Sequence, residues 1–224
     1  MTGLRDDGYH LIDAEMVSLD FHDTLEVADG SGLTVDGPAG TETIGPDADN
    51  LVARALRLVG RDAAVTIHKH IPAGAGLGGG SSDAAAILRW AGFTDLDAAA
   101  GLGADVAFCL VGGRARVTGI GERVDPLAFV EQTLTLVTPP VFCSTPAVYK
   151  AWDEMGGPSG DNGNDLEPAA LLVAPELARW RDELADATGQ RPRLAGSGST
   201  WFVDGAHPEA GRVVTTVPAG WPAD

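Results

Sequence analysis

The residues with the clearest chemical potential form a glycine-rich stretch at positions 72–82. Its sequence is Pro72-Ala73-Gly74-Ala75-Gly76-Leu77-Gly78-Gly79-Gly80-Ser81-Ser82, with five glycines in eleven residues. Because glycine has no Cβ atom, such a backbone can approach an anion closely and adopt positive φ values. A helix that follows would add its free N–H groups and the positive end of its dipole. The stretch is therefore predicted to bind the phosphates of a nucleotide.

The order of residues in this stretch excludes one common phosphate-binding motif and leaves another open. A P-loop requires Lys and then Ser or Thr directly after its last glycine, but Gly80 is followed by Ser81-Ser82. The dinucleotide motif G-x-G-x-x-G is matched by Gly74, Gly76 and Gly79, although no β-branched run leads to an acidic residue at the expected distance. A dinucleotide-binding oxidoreductase therefore stays an alternative, and a purely structural glycine turn is a second one.

The flanking residues predict a strand and a helix that position the glycine-rich stretch. Alternating apolar residues from Val65 through Ile71 predict a strand, which Pro72 ends because it has no N–H group to donate. Ser81-Ser82-Asp83 supplies N-capping groups for an apolar helix that runs to about Trp90. The predicted order is strand, glycine loop and helix.

The rest of the chain mixes predicted strands and helices, which indicates an α+β protein. The N-terminal half is predicted to contain a hairpin across Leu19–Val35 around Asp29-Gly30-Ser31-Gly32, a helix from Asn50 to Gly60 capped by Asp49 or Asn50, a helix over Leu102–Val111 that begins near Asp105, and a strand at residues 115–117. The remainder is predicted to contain a strand at Thr133–Thr138, helices from Pro146 to Met155 and from Glu167 to Ala187, a strand pair of Arg193–Ala195 with Trp201–Val203, and a last strand at Val213–Val217. A linker at Asp125–Glu131 predicts two domains, residues 1–130 and 131–224.

The charge balance and composition exclude several classes of protein. The 224 residues include 15 Lys and Arg against 32 Asp and Glu, a net charge of −17, and Lys69 and Lys150 are the only lysines. A nucleic-acid partner is not expected, because phosphate backbones need clustered cations. The apolar stretch at residues 98–113 is shorter than the ~20 residues that span a bilayer, and the acidic N-terminus is unlike a signal peptide. We therefore expect no membrane span and a cytoplasmic protein.

The cysteines and histidines do not predict a metal site. Cys109 and Cys143 lack a Cys-x-x-Cys spacing, so we expect two inert buried thiols. His68 and His70 would share one face of the predicted strand, but no third ligand accompanies them.

Four motifs in order along the chain resemble one kinase family. They are Asp6 with Gly8-Tyr9-His10, the glycine-rich stretch, Gly103-Ala104-Asp105-Val106, and Gly196-Ser197-Gly198-Ser199. Together they resemble the 4-diphosphocytidyl-2-C-methyl-D-erythritol kinases, within the superfamily of galactokinase, homoserine kinase, mevalonate kinase and phosphomevalonate kinase. The resemblance implies an α+β fold with an N-terminal ribosomal-protein-S5-domain-2-like domain and a C-terminal ferredoxin-like domain. It also implies ATP-dependent phosphorylation of the 2-hydroxyl of its namesake substrate in non-mevalonate isoprenoid biosynthesis. Triphosphate chemistry in turn implies magnesium, and we expect a monomer or homodimer.

The resemblance also implies roles for single residues. Asp105 matches the catalytic aspartate that accepts the proton of the attacking hydroxyl, although the residues alone favour an N-cap for a helix starting at Val106. Further positions match the family's binding residues. These are Tyr9 and His10 for the cytosine, Thr145, Pro146 and Tyr149 for the other side of the cytidine, Asn50 and Lys69 near the nucleotide, and Gly196, Ser197 and Gly198 in a third glycine motif that packs on the phosphate loop.

Some of these assignments have structural alternatives. Lys69 could be a solvated residue of an edge strand, and residues 196–200 could be only a tight turn. The magnesium ion could be contacted by either Ser81 or Ser82, and the sequence does not distinguish them.

The sequence departs from the family at its beginning. The family starts with a strand that contains Ala-Lys-Ile-Asn or Ala-Lys-Leu-Asn, whose lysine lies beside the catalytic aspartate, whereas this chain starts with Met1-Thr2-Gly3. Neither Lys69 nor Lys150 is an obvious substitute for that lysine. A truncated, catalytically impaired nucleotide-binding remnant is therefore a further expectation. The segments at residues 90–102 and 205–211 are also short for the elements that the family has there.

Overall fold

The computed structural model describes residues 1–6, 8–39 and 49–220, and these contain seven helices and eleven strands. The helices are α1 (Leu51–Leu58), α2 (Gly79–Trp90), α3 (Leu96–Leu102), α4 (Val106–Val111), α5 (Thr145–Glu154), α6 (Glu167–Val173) and α7 (Leu177–Thr188). The strands are β1 (Gly3–Leu4), β2 (His10–Leu19), β3 (Thr24–Ala28), β4 (Gly32–Asp36), β5 (Ala64–His68), β6 (Arg114–Gly119), β7 (Arg123–Pro126), β8 (Thr133–Val137), β9 (Arg193–Leu194), β10 (Trp201–Asp204) and β11 (Arg212–Val217).

The chain forms two compact units. The N-terminal unit comprises Met1–Ala73, Gly78–Val130 and Val217–Asp224, and the C-terminal unit comprises Gly74–Leu77 and Glu131–Thr216. Each unit combines helices with a mainly antiparallel sheet, which confirms the predicted α+β class. No helix in the described ranges is both long and apolar enough to cross a membrane.

The N-terminal unit contains a three-stranded sheet in which β5 lies between β3 and β4. β3 pairs with β5 antiparallel and β4 pairs with β5 parallel, and both Ala28 and Gly32 are opposite Ala64. The predicted hairpin is therefore wrong, because its two strands are not hydrogen-bonded to each other. The connection between them crosses the end of β5, and Gly30 takes a φ of 128° there. Four residue steps can span the ~10 Å between strands that are two apart.

The other strands form antiparallel ladders in each unit. In the N-terminal unit, β2 pairs with β1 and β6, and β6 pairs with β7. In the C-terminal unit, β8 pairs with β10 and β11, and β10 also pairs with β9. The pairing of β9 with β10 confirms the predicted strand pair around residues 196–200.

Three predicted elements differ from the structure. α2 begins at Gly79 and its N-cap is Gly78, so Ser81-Ser82-Asp83 lies inside the first turns and does not cap the helix. β5 ends at His68, before the predicted end at Ile71. The single helix predicted from Glu167 to Ala187 is two helices, because Pro175 lies in the break between α6 and α7 and cannot continue a helical hydrogen-bond ladder.

A helix that the sequence did not predict, α3, occupies part of the short segment before Asp105. Asp95 is its N-cap, and the Asp95 carboxylate accepts a hydrogen bond from the Ala98 N–H over 3.0 Å. The cap residue was in the sequence, but the alanine-rich helix has too few large apolar residues to produce a clear periodicity.

The core of the N-terminal unit surrounds α2, the helix that follows the glycine-rich stretch. Its buried residues include Ala84, Ile87 and Leu88, which belong to one cluster with residues of α1, β5 and α4. The position of the first turn of α2 is therefore fixed by apolar packing along most of the helix.

Candidate active site

The start of α2 has backbone N–H groups that donate no hydrogen bond to any described residue. Gly78 has a φ of 68° and no side chain caps the helix at this end. The N–H groups of Gly79, Gly80 and Ser81 lie in the first turn, and none has a hydrogen-bond acceptor among the described residues. A Cβ atom at Gly78 would meet nothing within 4 Å. This end of α2 is therefore an open, positively polarised site that suits a phosphate group.

The middle of the glycine-rich stretch packs against the Gly196–Gly198 turn within the C-terminal unit. The N–H groups of Ser199 and Thr200 each donate to a carbonyl of the stretch, at Gly74 and Ala75 respectively, over 3.0 Å. A Cβ atom at Gly76 would lie 2.2 Å from the Ala195 carbonyl oxygen. Gly76 is therefore required by close packing, and the structure brings the two glycine motifs together.

The residue that leaves β5 towards this stretch, Lys69, is buried between two aspartates. Only 2% of Lys69 is exposed, and its Nζ atom forms ion pairs with Asp23 and, over 2.8 Å, with Asp83. The expectation of a solvated edge residue is wrong, because β5 is the central strand and its end is covered. We call Asp23, Lys69 and Asp83 the buried triad.

The buried triad was not predicted from the sequence. Asp83 has the residue type of an N-cap, and Asp23 lies 46 positions before Lys69, so no local pattern connects them. Asp23 also accepts hydrogen bonds from the N–H groups of His70, over 2.5 Å, and Ile71, over 2.9 Å. Burial is the main cause that raises the pKa of Asp83 to about 6, and the Lys69 charge opposes that rise.

Asp105 occupies the N-cap position of α4, but its carboxylate does not cap the helix. Among the described residues it has no hydrogen-bond or ion-pair partner. Burial raises the pKa of this carboxyl above its usual value, and no charged neighbour contributes to that rise. Because the group is desolvated and unbonded, it is a stronger base than an ordinary aspartate and is available to a ligand.

Asp105 and the buried triad lie near the same thiol, that of Cys109. Burial raises the pKa of Cys109 to about 12, and the negative charges of Asp105 and Asp83 add to this effect. Arg89 of α2 donates to the Cys109 carbonyl over 2.5 Å and so ties α2 to α4. Cys143 is buried and Cys109 is half-buried.

The remaining predicted binding residues are found in both units. In the C-terminal unit, Thr145 and Ser197 share a hydrogen bond between their hydroxyl groups over 2.8 Å. Pro146 lies in the first turn of α5, and Tyr149 is partly buried against the core of that unit. In the N-terminal unit, 59% of Tyr9 is exposed and the Arg5 guanidinium lies 5.4 Å from its ring centroid.

Three further predicted residues have defined places in the N-terminal unit. His10 is the first residue of β2. The Asn50 side chain caps α1 by accepting from the Val52 N–H over 2.9 Å, so of the two predicted cap residues, Asp49 and Asn50, the cap is Asn50. His68 is bonded through Nδ1 to Asp36 over 2.6 Å.

Comparison with known proteins agrees with this arrangement. The family description "GHMP kinases N terminal domain" matches residues 50–113. This range contains the whole glycine-rich stretch and Asp105. A 4-diphosphocytidyl-2-C-methyl-D-erythritol kinase of Paracoccus denitrificans is 37% identical over 100% of this chain and 90% of its own length. One from Cereibacter sphaeroides is 40% identical over 99% of this chain and 91% of its own length.

A solved structure gives the same result for the fold. The crystal structure of a 4-(cytidine 5'-diphospho)-2C-methyl-D-erythritol kinase superimposes with a TM-score of 0.70 at 32% identity, and the match covers 96% of this chain and 93% of that one. The full-length similarity removes the dinucleotide-binding oxidoreductase as an alternative. The chain is a small-molecule kinase, and it belongs to the family of 4-diphosphocytidyl-2-C-methyl-D-erythritol kinases.

Proposed function

We propose that this protein transfers the γ-phosphoryl group of ATP to the 2-hydroxyl of 4-diphosphocytidyl-2-C-methyl-D-erythritol, a step in non-mevalonate isoprenoid biosynthesis. The acceptor is the compound for which its relatives are named. The observation that carries the proposal is the Asp105 carboxylate, which holds an N-cap position without capping the helix and has no partner in the described chain.

Asp105 is the general base in this proposal. A hydroxyl that attacks a phosphoryl group loses its proton as the new bond forms, and a nearby carboxylate can accept it. The raised pKa of Asp105 supports this role, because a carboxylate with a higher pKa holds a proton more readily. The carboxylate must be ionised before the reaction starts.

The N-terminus of α2 binds the phosphates of ATP in this proposal. The N–H groups of Gly79, Gly80 and Ser81 and the helix dipole supply donors and positive potential, which a chain with a net charge of −17 needs locally. The open space beside Gly78 supports the fit of a phosphate at this cradle.

Magnesium is assigned to the bound triphosphate, where it would neutralise charge on the β- and γ-phosphoryl oxygens. Among the described residues, no group of three or more His, Cys, Asp and Glu side chains is arranged to hold a metal ion. We assign to it the arrangement that is usual for magnesium in nucleotide sites, in which the ion keeps water ligands and is held largely by substrate phosphates.

The acceptor's cytidine is assigned to the remaining residues. Tyr9 offers an exposed aromatic face for stacking and His10 a ring nitrogen for the base edge. Thr145, Pro146 and Tyr149, with the Gly196–Gly198 turn, are assigned to the other side of the acceptor. The Thr145–Ser197 hydrogen bond supports a common role for these two segments.

The test is a phosphoryl-transfer assay with Mg-ATP and the proposed acceptor, followed by identification of the phosphorylated position. Asp105→Asn is expected to remove turnover while ATP affinity stays within about twofold, because the variant keeps the shape of the side chain and loses the base. Asp97→Asn, an exposed residue on the first turn of α3, is the matched control and should keep wild-type turnover. Wild-type turnover by Asp105→Asn would contradict the proposed base.

A catalytically impaired nucleotide-binding protein is a second candidate, and one observation favours it. Within the described residues no cation pairs with Asp105, since Lys69 belongs to the buried triad and Lys150 lies 3.8 Å from Glu154 on the surface. This candidate predicts ATP binding in calorimetry without any turnover by the wild-type chain. Measurable turnover would exclude it.

A further inference from the structure

The glycine-rich stretch is held at both of its ends by one set of buried charges. The chain enters the stretch through Lys69, His70 and Ile71, and leaves it through the first turns of α2. We call residues 69–71 and 79–83 the two shoulders of the loop. Asp23, which lies between β2 and β3, bonds the N–H groups of His70 and Ile71 at the first shoulder.

Lys69 connects the first shoulder to the second. Its ammonium group donates both to Asp23 and to Asp83, which is in α2, and the side chains of all three residues are at least 95% buried. The shoulders also touch directly, because a Cβ atom at Gly79 would lie 2.9 Å from Ile71 Cγ2 and 3.2 Å from Asp23 Oδ2. The separation of the shoulders is thus set by charge-assisted hydrogen bonds and by close packing.

We propose that Asp23, Lys69 and Asp83 are positioning residues that fix the two shoulders of the loop and thereby set the affinity for ATP. This inference rests on the proposed function, because it takes the N–H groups at the start of α2 as the phosphate site. The triad acts on those groups through the backbone. If only a fraction of the molecules have the loop in its binding-competent arrangement, the apparent Kd for the ligand equals the intrinsic Kd divided by that fraction.

The ammonium group of Lys69 is already bonded to two carboxylates, so Lys69 positions the loop and does not bind the phosphate directly. Two of the three N–H donors of its ammonium group face carboxylates, and the side chain is only 3% exposed. Moving the group to a phosphate would leave two carboxylates buried without their cation, which is strongly unfavourable. Its two bonds also run to different segments of the chain, as a connection between segments requires.

The charges in the triad allow a variant that breaks the connection without changing the net charge. With both aspartates ionised, the triad carries two negative charges and one positive charge. The double variant Lys69→Met/Asp83→Asn leaves Asp23 as the single negative charge and keeps its bonds to the N–H groups of His70 and Ile71. Asp83→Asn alone keeps an oxygen that can accept from Lys69, so it preserves the connection.

The experiment compares these two variants with the wild-type chain in steady-state kinetics and in hydrogen exchange of the backbone N–H groups of residues 70–82. For the double variant we expect the KM for ATP to rise at least about tenfold, which corresponds to a competent loop population of about a tenth, with kcat changed less than about threefold. Asp83→Asn, which keeps an oxygen that can accept from Lys69, should raise the KM for ATP clearly less than the double variant does. Asp182→Asn, at an exposed ion pair with Arg181, is the matched surface control and should be unchanged.

Exchange in the ligand-free protein separates this inference from the proposed function. We expect exchange at the shoulders of the double variant to be at least about tenfold faster than in Asp83→Asn. If the wild-type chain neither binds nor uses ATP, the proposed function fails. Independently of that result, equal exchange rates in the double variant and in Asp83→Asn would show that the triad does not fix the two shoulders. A folded double variant with wild-type KM for ATP, or one that loses kcat at constant KM, would also overturn the inference.

Discussion

Lys69 Nζ donates a hydrogen bond to Asp83 Oδ2 over 2.8 Å, between two side chains that are almost completely excluded from water. Lys69→Met should therefore lower the free energy of unfolding by roughly 3–5 kcal/mol, because it leaves two buried carboxylates without their cation. Urea unfolding followed by circular dichroism measures this loss. Lys150→Met, at an exposed pair with Glu154, is the control and should change stability by less than about 0.5 kcal/mol. A loss below about 1 kcal/mol for Lys69→Met would contradict the burial of the triad.

The raised pKa of Asp83 should make stability depend on pH. The folded value is about 6 and the ordinary value is 3.8, so between these values the folded chain binds a proton that the unfolded chain has released. The contribution of Asp83 to the free energy of unfolding is therefore fully present below about pH 4 and is lost as the pH rises through about 6. The difference of about two units corresponds to a change on the order of 3 kcal/mol.

Asp83→Asn provides the comparison for this pH dependence, because it cannot titrate. The stability of the wild-type chain relative to Asp83→Asn should decrease from pH 4 to pH 6.5 in urea titrations. Parallel curves for the two proteins over this range would mean that Asp83 titrates normally in the folded state.

The pKa of Asp105 should appear in the pH dependence of catalysis. Because burial raises it, the proton-accepting form is lost at a higher pH than for an ordinary aspartate with a pKa of 3.8. The acid limb of kcat/KM for the acceptor should therefore lie at a higher pH than the 3.8 of an ordinary aspartate, and activity should fall about tenfold for each pH unit below the limb. ATP binding by calorimetry across the same range should not show this limb. If binding and turnover decline together, the limb does not report Asp105.

Two glycines of the glycine-rich stretch should respond differently to the same substitution. Gly76 and Gly78 have similar φ values of 73° and 68°, so alanine at either position costs roughly 1–2 kcal/mol of backbone strain. At Gly76 the new Cβ atom would also lie 2.2 Å from the Ala195 carbonyl oxygen, whereas at Gly78 it would meet nothing within 4 Å. Gly76→Ala should therefore destabilise the protein by at least ~1 kcal/mol more than Gly78→Ala in thermal unfolding. Equal losses would mean that the contact with residue 195 can relax.

Local patterns in the sequence predicted the parts of the fold that depend on local chemistry. α1 follows from the cap at Asn50 and the spacing of its apolar residues, and the turn between β9 and β10 follows from the glycines at 196 and 198. The break before α7 was also encoded locally, by Pro175, and was missed because the apolar periodicity on both sides is similar.

The features that sequence reasoning missed depend on contacts between distant residues. Alternating residues in β3 and β4 indicate strands but do not specify the partner of each strand, which is β5 for both. Asp83 has the type and position of a helix cap, and only the burial of Lys69 beside Asp23 gives it a different role. The glycine-rich stretch and Asp105 are predicted site residues because the motifs that contain them are contiguous in the sequence.

The central place of β5 has a consequence for how the chain folds as it is synthesised. β3 and β4 are synthesised before β5, which begins at Ala64, 64 − 36 = 28 residues after β4 ends at Asp36. Neither of the earlier strands can complete its ladder in a nascent chain that stops short of His68. Since β5 continues directly into Lys69 and the glycine-rich stretch, the strand that completes this sheet also leads into the candidate phosphate site, whereas Asp83, the partner of Lys69 in α2, is synthesised a further 14 residues later.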